Sequence, residues 1–252
     1  TDIFHIGTFG GDGTAGSGVN IAFTNSALFM VLTVGAIGLF LIWGTARRAI
    51  VPGRTQLLGE MVYEFVANMV RNTAGPEGMK FFPLVFSLFM FILFANVLGL
   101  LPLGLVGIHP FTFTSHFTVT GVLAIMSFSI VLIVGFWKHG LKFFSLFVPH
   151  GTPLWLIWLI PAIEFVSFMV RPFSLGLRLF VAMIAGHILL KVLAGFVINA
   201  GNAGLIPGLG VGIPSFALMV GISALEILVA GIQAYVFALL TSLYINDAEH
   251  LH

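Results

Sequence analysis

Cysteine is absent from all 252 residues, which excludes a disulfide framework and any thiolate metal or redox centre. Charge is scarce as well: Asp, Glu, Lys and Arg together make up 8% of the chain, against about a quarter in an ordinary globular domain. Too few polar groups remain to cover a water-facing surface. The formal net charge is +1 with no basic cluster, so the positive excess that phosphate binding needs is missing and nucleic acid is excluded as a partner. Catalytic motifs are missing too. There is no HExxH or GxSxG, the histidines show no paired metal-ligand spacing, and GLGVG at 208–212 follows no strand and opens no nucleotide fold. No metal, no cofactor and no catalysis by the isolated chain are expected. The chain starts at Thr1 rather than Met, which suggests a processed or trimmed N-terminus; Thr1 to Asn25 is Gly-rich and polar, without a signal-peptide pattern.

What fills the chain is apolar: 59% hydrophobic and 13% aromatic residues. This predicts an all-α integral membrane protein, because runs that are apolar all round do not alternate as barrel strands must. Ordinary transmembrane helices, each of about 20 residues, are predicted at 26–46, 81–101 and 119–137. Between the first two lies RTQLLGEMVYEFVANMVRN. Here Gln56, Glu60, Glu64, Asn68 and Asn72 recur every fourth residue, while Leu57, Leu58, Met61, Val62, Phe65, Val66, Met69 and Val70 fill the other face. That is an amphipathic helix over 54–73, lying in the membrane interface or docked on its own protein, and not spanning.

From Leu154 to about Ala200 no polar linker breaks the apolar sequence. At about 1.5 Å per residue this is some 70 Å of helix, twice a hydrocarbon core of about 30 Å. A long, strongly tilted or bent helix fits better than two upright spans. Pro161 and Pro172 are candidate bends. NAGNAGLIPGLGVG, from Asn199 to Gly212, is the first turn after it, and a second long helix is predicted from Pro214 to about Ile245. The two make a hairpin over 154–247 within a single membrane domain, 1–252. Arg47, Arg48, Arg54, Arg71 and Lys80 mark the first connection, and Lys138 and Lys142 follow the third span, whereas 102–118 carries no Lys or Arg. The positive-inside bias therefore puts residues 1–25 outside and the C-terminus in the cytoplasm, or the matrix if mitochondrial.

The remaining basic residues, Arg171, Arg178 and Lys191, sit inside the apolar sequence. Arginine cannot shed its charge and is very costly against lipid, so Arg178 must face a partner. Glu164, Arg171 and Arg178 are spaced by sevens and fall within about 40° on one helical stripe. Pairing among neighbours is the plain alternative for Glu164 and Arg171. His187 lies about half a turn round from Arg178; a lone histidine is more often a packing residue than a site, and Lys191 reads as snorkelling to the surface. On the second long helix Glu226 and Gln233 are again seven apart. Glu226 lacks a basic neighbour there and must be protonated, solvated, or paired across the hairpin.

SLGLRLF from Ser174 to Phe180, continued by AGH at 185–187 and joined to LEILVAGIQAYVFALLTSLYIND at 225–247, resembles subunit a of the rotary F-type ATP synthase. FANVLGLLP at 94–102 adds weaker support. The resemblance implies a proton-translocating subunit whose hairpin faces a rotating c-subunit ring, in a bacterial plasma membrane or mitochondrial inner membrane, with peripheral stalk b-type subunits and the lipid bilayer as further partners. It implies that Arg178 is the essential arginine, that Glu164 and Arg171 are the acidic and basic positions before it, and that His187, Glu226 and Gln233 are polar positions of the proton path. Two offset aqueous half-channels would meet at Arg178, with His187, Glu226 and Gln233 outward and Glu164 with Arg171 inward. Where the family commonly has LRLFGN or LRLFAN, this chain has Val181 and Ala182, so the asparagine's role falls to water or another residue. A secondary transporter or channel with midplane charges is the alternative, but no second copy of the Arg178 segment exists, as an internal repeat would require.

Overall fold

In hydrocarbon a backbone has no water to bond to, so each apolar run must satisfy its own N–H and C=O groups as helix. The computed structural model describes residues 2–9, 19–45, 53–100, 116–140, 159–204, 206 and 208–249. Its helices are α1 (Asn25–Thr45), α2 (Arg54–Gly78), α3 (Phe82–Leu100), α4 (Phe117–His139), α5 (Leu159–Asn202) and α6 (Ile213–Glu249). Five stretches are long and apolar enough to cross a membrane: 27–45, 54–100, 117–138, 159–202 and 208–249. The expected spans at 26–46, 81–101 and 119–137 correspond to α1, α3 and α4. Arg47, Arg48, Lys142, residues 154–158 and most of the 102–118 connection lie outside the described residues.

Two short antiparallel strands, β1 (Asp2–Phe9) and β2 (Val19–Thr24), precede the helices, with Phe9 opposite Val19 and Asp2 opposite Thr24. In β2 Val19, Ile21 and Phe23 alternate with Asn20, Ala22 and Thr24, the period-two pattern of a strand. That alternation sits beneath a composition whose glycines read as loop.

The amphipathic helix runs past its expected end at residue 73 to Gly78, with a break at Gly75 (φ 67°, ψ −171°) just before Pro76. Proline disfavours helical backbone in the residue before it, and only glycine takes that positive φ without strain. A single 3₁₀ turn, Met79–Phe81, then leads into α3. Docking on its own protein holds for part of its apolar face. Val66, Met69, Val70 and Ala74 are buried against the bundle, whereas Leu57, Leu58, Met61 and Phe65 stay exposed.

The main core joins the second half of α2 to α3, α4, the first half of α5 and the later half of α6. On α6, Ala230, Ala234 and Ala238 are fully buried at four-residue spacing, so their small side chains let neighbouring helices approach. Ala224 and Gly231, expected to serve the same purpose, are not buried. Buried polar contacts tie the helices: Asn96 Nδ2 donates to the Ala230 carbonyl at 3.4 Å, and the Ser127 and Thr241 hydroxyls lie 2.9 Å apart. Where α5 crosses α4, a Cβ placed on Gly176 would be 3.2 Å from the Thr120 carbonyl and 3.3 Å from Ala124 Cβ. Glycine is what that crossing accommodates.

α5 is one helix of 44 residues with Pro172 inside it, matching the sequence expectation of a single element. The chain then turns through Gly204, at φ +117°, and a π-helical turn, Gly208–Gly212, feeds α6. Arg171 meets Asp247, Gly186 meets Glu226, and Ala200 meets Gly208 and Gly212. These contacts make α5 and α6 an antiparallel pair. The pair is thinly covered: in their most apolar stretches 11% of α5 and 17% of α6 are buried, α1 being like α6 at 17%, against 44% within 54–100 and 39% in α4.

Candidate ion-translocation site

Seven-residue spacing places Glu164, Arg171 and Arg178 along one side of α5, but their surroundings differ. Arg178 is exposed on the hairpin and forms no ion pair among the described residues. Val170, Phe173 and Val181 on the same helix are each at least half exposed, and Tyr244 of α6 lies within electrostatic reach of Arg178. A permanent cation is thus presented on a largely apolar helix. Gly176 fixes its height by seating α5 against α4 two residues earlier.

Arg171 does have a partner. Its Nη1 lies 3.0 Å from Asp247 Oδ2, and its guanidinium stands 5.7 Å from the Phe168 ring centre and 5.2 Å from that of Tyr244. Pairing with a neighbour inside the bundle, the plain alternative from sequence, is therefore what Arg171 does, with Asp247 across the hairpin as that neighbour. Glu164 is not the partner, since seven residues separate it from Arg171 by about 10 Å along the helix. Glu164 is partly exposed and makes no ion pair among the described residues.

Glu226 is 3% exposed, and neither carboxyl oxygen has a hydrogen-bond partner among the described residues. It is not paired across the hairpin, one of the three resolutions the sequence left open. Instead its carboxyl lies on Gly186, where a Cβ would overlap it. Among the described residues no group competes with a transferred proton for those oxygens. His187, next to Gly186, is half-buried and lies within the electrostatic reach of Lys191. Gln233 is half-buried two turns along α6, while Lys191 is exposed, in keeping with a snorkelling side chain. The structure therefore brings Gly186 and Glu226 together and keeps Arg178 apart from both.

Sequence reasoning missed Asp247, Tyr244 and Gly186 as parts of this arrangement. The signals were present in LYIND and AGH: antiparallel pairing of the two long helices puts residue 171 opposite 247 and 186 opposite 226. Among the described residues no group of three or more His, Asp or Glu could hold a metal.

By fold this is a multi-span helical membrane protein whose longest hairpin carries an arginine on its surface and a carboxyl within, each without a partner among the described residues. Residues 27–246 match the family described as ATP synthase A chain. The chain belongs to that family. It is 67% identical over 243 residues to the ATP synthase subunit a of Erythrobacter litoralis, covering 96% of this chain and 92% of the relative. The subunit a of Sphingopyxis alaskensis is 64% identical over 250 residues, with 99% and 95% covered, and that of Rhodospirillum rubrum 49% over 236 residues, with 94% and 92% covered.

Proposed function

We propose that the chain is the proton-translocating stator subunit of a rotary ATP synthase in a bacterial plasma membrane, with its α5–α6 hairpin strongly tilted against a ring of c subunits. The observation that carries this reading is Arg178: an exposed guanidinium on an apolar, thinly covered hairpin, with no ion pair among the described residues. A charge so placed needs an anion supplied by another chain, and a carboxylate on a passing ring subunit supplies it.

Arg178 holds the ring carboxylate ionised as it passes and separates two offset aqueous half-channels, so protons cross only by riding the ring. Glu226, His187 and Gln233 line the outer half-channel, and Glu164, with Arg171, the inner one. Val181 and Ala182 supply no polar group beside Arg178, so water takes the part of the family's asparagine. The first half of α2, with its exposed Leu57, Leu58 and Met61, lies in the membrane interface. The N-terminus is outside and the C-terminus cytoplasmic, and peripheral stalk b-type subunits hold the assembly against the turning ring. The chain itself makes or breaks no covalent bond of ATP.

The test is Arg178→Lys in the assembled complex. A compact ammonium lacks the planar donor fork and loses its charge when desolvated, so ATP-driven proton pumping into vesicles is expected to vanish although the subunit assembles. Normal pumping by this variant would remove the central claim.

A further inference from the structure

We propose that Asp247 is a positioning residue of the translocation machinery: it cancels the charge of Arg171, so that Arg178 alone on the α5 stripe captures the ring carboxylate. This rests on the reading of Arg178 given above.

Seven residues apart, Arg171 and Arg178 lie on nearly the same side of α5 and about 10 Å from each other along its axis. A carboxylate arriving at one would feel the other at that distance, and two cations in line would hold it ionised along an extended track instead of at one point. Asp247 removes the second cation. Its Oδ2 is 3.0 Å from Arg171 Nη1, and the Phe168 and Tyr244 rings bracket the guanidinium at 5.7 and 5.2 Å, which keeps it turned towards Asp247. Arg178 has no carboxylate partner among the described residues, although Tyr244 is within electrostatic reach of both arginines.

Stapling α5 to α6 is the competing explanation, and it accounts poorly for the pair. The side chains of Arg171 and Asp247 are 29% and 43% exposed, a setting in which an ion pair adds little stability. The end of α6 is already fastened two residues on by Glu249 to Lys138, at 3.0 Å. Proton relay through Asp247 is the other competitor, and it makes a different forecast for the double variant.

The experiment uses the assembled complex in vesicles and compares ATP-driven pumping by Asp247→Asn, by Asp247→Asn combined with Arg171→Gln, and by Arg178→Ala. Leaving Arg171 uncompensated is expected to slow pumping roughly fivefold or more, and neutralising it in the same chain to raise the rate about threefold above that of Asp247→Asn alone, as relief of a Coulomb effect over about 10 Å requires. Added salt on the inner side is expected to narrow the Asp247→Asn deficit, because screening shortens the reach of the bare cation. A double variant as slow as Asp247→Asn would overturn the inference in favour of a staple or a relay, and an Asp247→Asn variant that pumps normally would also overturn it. If Arg178→Ala still pumps, the reading of Arg178 fails; if Arg178→Ala is dead while Asp247→Asn is normal, only the role of Asp247 fails.

Discussion

Arg178 and Glu226 share one hairpin and meet opposite fates, because their chemistry differs. A guanidinium keeps its charge under all conditions a protein meets, so it stays at the hairpin surface. A carboxyl can accept a proton, and Glu226 is accordingly enclosed at 3% exposure. What encloses it is the missing side chain of Gly186, on which its carboxyl rests. Gly186→Val is expected to push Glu226 out of that seat and to cut pumping by about an order of magnitude, since overpacking costs about 1–3 kcal/mol. Ala185→Val, one residue away at an exposed position, is expected to change little. Equal pumping by both variants, measured in vesicles with matched subunit content, would contradict the seat.

At the scale of elements, the proposed half-channels make different forecasts for access from the two sides of the hairpin. The chain has no cysteine, so single cysteines report cleanly. Glu226→Cys and His187→Cys are expected to react with silver ion from the outer phase and Glu164→Cys from the cytoplasmic phase, because thiolate formation and reagent access both require water. Protection of all three, or reaction of all three from either side, would defeat offset half-channels. Gly176 tests the scaffold instead: with Cβ contacts already at 3.2 and 3.3 Å, Gly176→Val is expected to separate α4 from α5 and lower the thermal stability of the assembled subunit, read by its release from detergent-extracted complex. The helices themselves were legible because lipid imposes unbroken apolar runs of about 20 residues, and the single α5 was legible because no polar linker interrupts it. Partners across the hairpin were not. Asp247 is 76 residues from Arg171, and nothing local to either residue announces the pair; the role of Gly186 depends on an absent side chain, which composition cannot display. The strand pair ahead of α1 was masked by the glycines around it.

Over the whole molecule, charge collects at the end of the bundle where α2 and α4 finish and α6 ends. Lys138 reaches Glu249 at 3.0 Å and Glu77 at 3.6 Å, so one ammonium joins three helices there. Lys138→Ala is expected to lower the temperature at which the subunit leaves the complex, because the Glu249 side chain, 5% exposed, loses its cation; Glu77→Ala, which removes only the longer and more exposed contact, is expected to matter less. Thermal release profiles of the two variants decide it, and an equal effect would contradict the ranking.

The unequal covering of the spans also bears on how long a surplus copy of the chain survives in a cell. Beyond Met183 on α5 and before Ala230 on α6, the buried positions on the two helices are Leu193, Ala200, Ser215 and Glu226, so little besides mutual contact holds that half of the hairpin together. A partner that binds only the closed arrangement stabilises it by mass action, and cleavage of a rapidly opening segment follows the population that is open. Copies made in excess of the proposed ring partner are therefore expected to be degraded from the hairpin first, and the steady amount of this chain to follow the supply of that partner more closely than its own rate of synthesis.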